Sequence, residues 1–248
     1  MFSIVIIGEF QKGKSTLVDC ILGKNVANRG RGLRTTASVA AYDIGGGMEI
    51  VDTPGFNATV EDDKAALAAM DQASAIIFIK DDKGPDERFA KTIVCLRDLA
   101  KHCLLLCNFR DPERGWTPDP MSEVVYDLDA EINELGARNL FLSMSPDGAI
   151  VTPVNLQWAL WCQDLAPESD DDIRFWAEEE LGISMDEEGA KDRVRNELWE
   201  RSGFIQIRRY IDNFPFWILS RMVDEKQKEA ECIAMRFAAE LKKLQKIV

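Results

Sequence analysis

The feature that most constrains this chain is a nine-residue segment near its start, Gly8-Glu9-Phe10-Gln11-Lys12-Gly13-Lys14-Ser15-Thr16. It follows an apolar run, Ile4 to Ile7, and opens an amphipathic stretch, so a strand leads through it into a helix. That setting is what a phosphate-binding loop requires. Glycines at positions 8 and 13 let the backbone curl so that successive N–H groups and a helix N-terminus face an anion. Lys14 is placed to reach β and γ phosphates, the Ser15 hydroxyl to ligate magnesium, and Thr16 to hydrogen-bond the α phosphate. Gln11 and Lys12 lie along the same loop and join the phosphate-binding set. A glycine-containing turn that binds nothing would not be expected to carry both glycines, the lysine and the serine in register.

Up to residue 163 the chain alternates short apolar runs with longer amphipathic stretches, the pattern of an α/β, three-layer domain with a mostly parallel sheet. Strands are expected at Phe2 to Ile7, Ser38 to Ile44, Met48 to Val51, Ser74 to Ile79, Cys103 to Cys107 and Ile150 to Val154, with a further short one at Asn139 to Leu142. Helices are expected at Lys14 to Leu22, Asp62 to Met70, Pro85 to Ala100 and Met121 to Leu135. Gly45-Gly46-Gly47 makes the second and third strands a hairpin, the one antiparallel pair. Beyond the sheet, Leu198 to Ile211 reads as an amphipathic helix interrupted by Gly203, and Leu219 to Val248 as a long amphipathic helix with a charged break at Lys226. The expected division is a domain over 1–213, containing an acidic insertion over 164–192, and a helical extension over 214–248.

Two further motifs complete a nucleotide site. Met48 to Val51 ends in Asp52-Thr53-Pro54-Gly55, where Asp52 can hold a magnesium-bound water and the Gly55 N–H can sense a γ phosphate. Asp52 lies 37 residues after Ser15, a spacing that fits a GTPase better than a nucleotide kinase. The intervening loop, Asn25 to Thr36, carries Arg29, Arg31, Arg34, Thr35 and Thr36; a threonine hydroxyl, Thr36 in preference to Thr35, would complete the metal shell only with triphosphate bound. Leu104 to Cys107 leads into Asn108-Phe109-Arg110-Asp111, where the Asp111 carboxylate can accept both N1–H and N2–H of guanine. The same Asn and Asp pair would also serve as a loop cap. Phe109 stands where a lysine usually packs over the base, so Phe109 or Arg110 would stack instead. A last base contact is expected at Asn155, with Ser143 to Ser145 as the competing placement.

The Gly-Glu-Phe-x-x-Gly-Lys-Ser-Thr form of the loop, together with Thr35-Thr36 and Asp52-Thr53-Pro54-Gly55, resembles the G domains of bacterial dynamin-like GTPases and their translation-factor relatives, over about residues 1 to 163. The resemblance implies a P-loop GTPase (Ras-like) fold, Mg2+ as cofactor, GTP and GDP as substrate and product, and membrane remodelling at its most specific. Family members are usually longer, with a helical stalk and a membrane-binding tip, whereas this sequence begins at the first strand and ends after one helix. A partner for that helix would then come from another chain. In many small GTPases the residue after the Asp-x-x-Gly turn is a glutamine that orients water; here it is Phe56, which implies slow intrinsic hydrolysis. The resemblance implies stimulation by a facing G domain or by a group from the loops themselves. The candidates are Arg29, Arg31, Arg34 and Thr36, with Gln11 and Lys12 in the phosphate loop, although each arginine taken singly reads as a solvated loop charge. The expected partners are a second copy, through the G domain or the C-terminal helix, or a helical protein. The alternative function is a nucleotide-dependent interaction module with negligible hydrolysis.

The net charge of -13 argues against a nucleic-acid partner, but it is unevenly placed. The stretch Asp164 to Asp192 carries -10, residues 1 to 163 carry -7, and residues 193 to 248 carry +4. Charge therefore gives no veto on a membrane surface, and the acidic stretch is a natural contact for the basic helix. The six cysteines sit on apolar positions with no close second pair, His102 is the single histidine, and no signal peptide is evident, so a reduced cytoplasmic setting without zinc is expected. No apolar run reaches the roughly 18 residues of a membrane span, which leaves peripheral attachment open.

Overall fold

The computed structural model describes residues 2–26, 39–55, 59–110, 117–142, 148–165 and 170–215, with Gln227 and Met235. Arg29, Arg31, Arg34, Thr35, Thr36, Phe56, Asp111 and Ser143 to Ser145 lie outside the described residues, as does the expected C-terminal helix apart from those two helical positions and residues 214 and 215. Contacts divide the chain into two compact units, Met1–Arg208 and Arg209–Val248. In the second unit the Tyr210 and Phe214 rings pack with centroids 5.7 Å apart.

The first unit is built on a six-stranded sheet. In chain order its strands are β1 (Phe2–Gly8), β2 (Ala40–Gly45), β3 (Met48–Asp52), β4 (Ala75–Asp81), β5 (Cys103–Asn108) and β6 (Val151–Val154). Their spatial order is β2-β3-β1-β4-β5-β6, parallel throughout except for the β2–β3 hairpin, which turns through Gly45 to Gly47. β1 therefore lies between β3 and β4. The chain leaves it toward one side of the sheet and later returns to the other, which opens a crevice at the carboxyl ends of the strands.

Helices α1 (Lys14–Leu22), α2 (Val60–Gln72), α3 (Glu87–Leu99), α4 (Glu123–Glu134) and α5 (Leu156–Cys162) cover both faces. Val5, Ile7, Ile76, Phe78, Leu105 and Cys107 pack on one face against Met70 of α2, Phe89, Ile93 and Leu96 of α3, and Val125, Leu128 and Ile132 of α4. The alternating positions Ile4, Ile6, Ile77, Ile79, Leu104 and Leu106 are equally buried on the other face. Burial on both faces explains why these strands read as unbroken apolar runs. The helix starts are written locally: the Thr59 hydroxyl accepts from the Asp62 N–H (3.1 Å), and the Asp86 carboxylate accepts from the Phe89 N–H (2.8 Å).

One expectation needs correction. Asn139 to Leu142 is not a strand: Arg138–Leu140 forms a 3-10 turn and only Phe141 bridges to Cys103, because the chain there crosses the sheet edge too briefly to form a ladder. The helical stretch Leu198 to Ile211 is interrupted at Gly203, as its sequence indicates: Leu198 lies in α7 (Ala190–Arg201), Gly203 takes φ +74°, and helical backbone resumes over 204–215. The acidic stretch packs against the rest of the unit as well as carrying charge. Its α6 (Asp170–Phe175) and the wide turn Trp176–Glu180 place Ile173, Trp176 and Ala177 in a core with Trp158, Trp161, Val194 and Leu198. Trp176 meets both other indoles edge-on at 6.2 Å. Arg195 lies over Trp161 at 5.3 Å and pairs with Asp164 through both guanidinium nitrogens, fastening the start of the stretch to α7. Asp192, the last residue of the acidic stretch, lies in the first turn of α7.

Gly203 is fixed by close approach as well as by its φ. A Cβ there would stand 2.3 Å from the Pro153 carbonyl oxygen of β6, next to the bond from the Asn155 N–H to the Ser202 carbonyl (2.8 Å). Gly203→Ala is expected to lower the unfolding free energy by about 2 kcal/mol or more, measured as a shift in the urea midpoint.

Candidate functional site

The site is assembled at the carboxyl ends of β1, β3, β4, β5 and β6. β1 ends at Gly8, and the loop turns through Gln11, which holds a left-handed φ of 60°, and Gly13, at φ 110°, into the first turn of α1. Gly13 has no room for a side chain: a Cβ would lie 2.8 Å from Asn108 Nδ2 and 3.2 Å from Leu156 Cδ1. Lys14 is buried, and its Nζ donates to the carbonyls of Gly8 (3.1 Å) and Glu9 (2.8 Å), so the ammonium is folded back across the loop it belongs to. Burial pulls its pKa down to about 8, against the opposing pull of the Asp52 and Glu9 carboxylates. Thr16 is half-buried one residue beyond Ser15, in the first turn of α1.

On the β3 side of β1, Ser15 Oγ donates to Asp52 Oδ2 at 2.8 Å, and both groups are buried. The Thr53 hydroxyl donates to the Ile6 carbonyl (2.7 Å), which pins the turn after Asp52 to β1. Gly55 then lies on the loop itself: a Cβ would meet the N and Cα of Phe10 at 2.7 Å. Phe10 is half-buried and contributes backbone here. A hydroxyl and a carboxylate already in contact beside an anion-binding loop are hard oxygen donors of the kind magnesium takes, Ser15 directly and Asp52 through water. The residues present fit that ion.

The other side of β1 is organised by Asn108 and Asp81. The Asn108 carboxamide donates to the Lys12 carbonyl (3.1 Å) and accepts from the Leu156 N–H (3.2 Å), bracing the loop against the start of α5. Phe109 is in the sheet core at 4% exposure, so it stacks on the protein and not on a ligand. Arg110 is exposed, and its guanidinium donates to the Gln11 carbonyl. Asn155 is fully buried and its Oδ1 caps α5, accepting from the N–H groups of Gln157 and Trp158 at 3.0 Å each.

Glu9, Lys80, Asp81 and Asp86, absent from the expected site, join Lys12 here. Lys12 Nζ pairs with Asp81 and lies 3.8 Å from Glu9 Oε2. Lys80 Nζ lies 3.2 Å from Asp81 Oδ1 and 2.8 Å from Asp86 Oδ2. Burial works against the Asp81 charge, but the hydrogen bond from Lys12 and the attraction of Lys80 outweigh it and hold the carboxyl below the ordinary range. Burial similarly opposes the Lys80 charge, yet the bond to Asp86 and the nearby Asp81 raise its pKa. The available signal was Lys80-Asp81-Asp82 at the end of an apolar strand, since charges there are buried and need partners.

Residues 3–109 match the family model described as 50S ribosome-binding GTPase. The sheet order, the loop and this match define a P-loop GTPase fold. No curated protein matches the chain. Similar solved structures include Era in complex with MgGDPNP and nucleotides 1506–1542 of 16S ribosomal RNA, with 18% identity, 68% of this chain and 58% of that one covered, and TM-score 0.46. Another is an Era variant from Aquifex aeolicus bound to GDP and AlF4-, with 20% identity, 68% and 57% covered, and TM-score 0.44. A third is a probable GTP-binding protein engB, with 16% identity, 63% and 90% covered, and TM-score 0.46. The chain thus spans less than two thirds of either Era chain. Among the described residues, no helix is long and apolar enough to cross a membrane.

The Lys14 environment sets a pH dependence. The folded protein releases this proton near 8 and the unfolded chain near 10.5, so between those values the unfolded state binds more protons and stability rises with pH. In nucleotide-free protein, wild type is expected to gain stability relative to Lys14→Met between about pH 7.5 and about pH 10, read from urea midpoints. Parallel pH profiles would contradict a depressed Lys14.

Proposed function

We propose that this chain is a magnesium-dependent GTPase: it binds GTP and GDP at the carboxyl end of β1 and hydrolyses GTP slowly on its own. The observation that carries the reading is the buried Ser15–Asp52 hydrogen bond at 2.8 Å beside the enclosed Lys14. It brings a metal pair and a phosphate lysine together from segments 37 residues apart.

In this reading Lys14 leaves the Gly8 and Glu9 carbonyls for the β and γ phosphates, while the N–H groups of the loop through Gly13 to Thr16 cradle the remaining phosphate oxygens. Ser15, and Asp52 through water, would hold magnesium, which when bound would supply charge neutralisation to the phosphates. Gly55, seated on Phe10, offers its N–H near the γ phosphate, and Thr36 joins the metal shell in the triphosphate state. Asn108 and Asp111 read the base. Asn155 supports that pocket from beneath as the cap of α5, a role its burial favours over direct contact.

Turnover is slow because Phe56 cannot orient water, and association with a second G domain or a partner supplies the missing group, with Gln11, Arg31 and Arg34 as candidates from this chain. The G domain is taken as 1–213 and the neck-like helix as 214–248. Membrane remodelling is the narrowest form of this reading, carried by the sequence motifs alone, and sedimentation with liposomes tests it.

Binding isotherms for GTP, GDP and ATP test the core of the proposal: both guanine nucleotides bind and ATP does not. Lys14→Ala is expected to weaken GTP roughly a hundredfold, as loss of a charge-assisted phosphate contact implies. Asp111→Asn is expected to transfer preference from GTP to xanthosine triphosphate, and retained GTP preference would reduce Asp111 to a loop cap. Single-turnover phosphate release that rises with protein concentration supports stimulation by association. No release at any concentration leaves a nucleotide-dependent interaction module.

A further inference from the structure

We infer that Lys12 is a contact to the nucleoside half of the nucleotide, not to its γ phosphate, and that buried Asp81 is the residue that positions it. The inference rests on the guanine-nucleotide reading above and adds a specificity role to one residue and a positioning role to another.

The sheet order divides the site. Ser15 and Asp52, the metal pair, sit on the β3 side of β1, while Asp81 and Asn108 end β4 and β5 on the opposite side and are register partners. Lys12 reaches toward that second side: its ammonium pairs with Asp81, and its own carbonyl is held by Asn108 Nδ2 at 3.1 Å. Gly13 lies against Asn108 so closely that a Cβ would be 2.8 Å away, which seats the Lys12 backbone on this side of the loop.

Asp81 is itself held in place. Its side chain has 0% exposure and stands between Lys12 and Lys80, and Lys80 bonds Asp86, the N-cap of α3. Swinging Lys12 across β1 toward a γ phosphate would break the pair and remove one of the two cations that neutralise a buried carboxylate, a strongly unfavourable step. An ammonium already paired in this way also offers little net charge to a phosphate. Its four-carbon stem and remaining N–H donors suit a neutral surface with scattered acceptors, which is what a ribose and a purine edge present.

Phe109, directly after Asn108, is turned into the core and offers this side no cation. On this side Lys12 pairs with Asp81 and Arg110 donates to the Gln11 carbonyl, while Lys80 is bonded to both Asp81 and Asp86.

The test is titration of wild type, Lys12→Met, Lys12→Arg, Asp81→Asn and the Lys12→Met/Asp81→Asn pair with GDP, GTP and inorganic tripolyphosphate, which carries phosphates without a nucleoside. Lys12→Met is expected to weaken GDP and GTP by the same factor, about five- to tenfold, while tripolyphosphate shifts less than about twofold. Lys12→Arg is expected to restore GDP affinity to within about twofold when Asp81 is present. Asp81→Asn is expected to weaken GDP in the wild-type background and to add nothing in the Lys12→Met background, a coupling that general loosening of the fold would not produce. Loss of GTP with GDP intact, loss of tripolyphosphate in step with the nucleotides, or no change in any of the three overturns the assignment, and Lys12→Met alone decides this if Asp81→Asn does not fold. Wild-type protein that binds neither GDP nor GTP would instead overturn the guanine-nucleotide reading itself, before any substitution is made.

Discussion

The carboxamide of Asn108 is the contact on which the geometry of the site depends. One group at the end of β5 holds the Lys12 carbonyl of the phosphate loop and the Leu156 N–H at the start of α5, and packs against Gly13 between them. A loop with a left-handed glutamine and glycine has little intrinsic preference for one shape. Tying it to β5, while Thr53 ties the turn after Asp52 to β1, fixes both sides of the crevice relative to the sheet. The Ser15–Asp52 contact and the burial of Lys14 follow from that placement.

Charge burial is the second organising constraint. Lys14, Asp52, Lys80, Asp81 and Asp82 are all buried at the carboxyl ends of the strands, where helices on both faces exclude solvent. Such groups persist only when paired or hydrogen-bonded. The alternating series from Glu9 through Lys12, Asp81 and Lys80 to Asp86 meets that requirement and joins the phosphate loop to the cap of α3. Lys14 differs: its partners are two carbonyls and nearby carboxylates that do not fully offset its desolvation.

The sequence was most readable where local chemistry and burial agree. β1, β3, β4 and β5 are predominantly apolar runs ending in Gly8, Asp52, Asp81 and Asn108, and each strand was legible to within a residue or two. The phosphate loop and its following helix were legible because glycines, lysine and serine at fixed spacing have few other uses. Pairings made only in three dimensions were not legible. Nothing local marks Asp81 as the partner of Lys12, 69 residues away, or turns Phe109 inward in preference to stacking. Asn155 reads equally well as a base contact and as a helix cap until its surroundings are known. The acidic stretch reads as an insertion, and that its Trp176 meets Trp158 and Trp161 of α5 is likewise a pairing made only in three dimensions.

By itself the sequence determined the α/β alternation, the phosphate loop and the hairpin at Gly45 to Gly47, since these depend on period, turn chemistry and short spacing. The tertiary structure decided which side of β1 each candidate site residue faces. It set Ser15 with Asp52, turned Lys12 to Asp81, used Asn108 as a brace and folded the acidic stretch onto α5 and α7. The physical reason is that buried polar groups and large aromatic surfaces are satisfied by partners distant in sequence, and strand order alone brings those partners within reach.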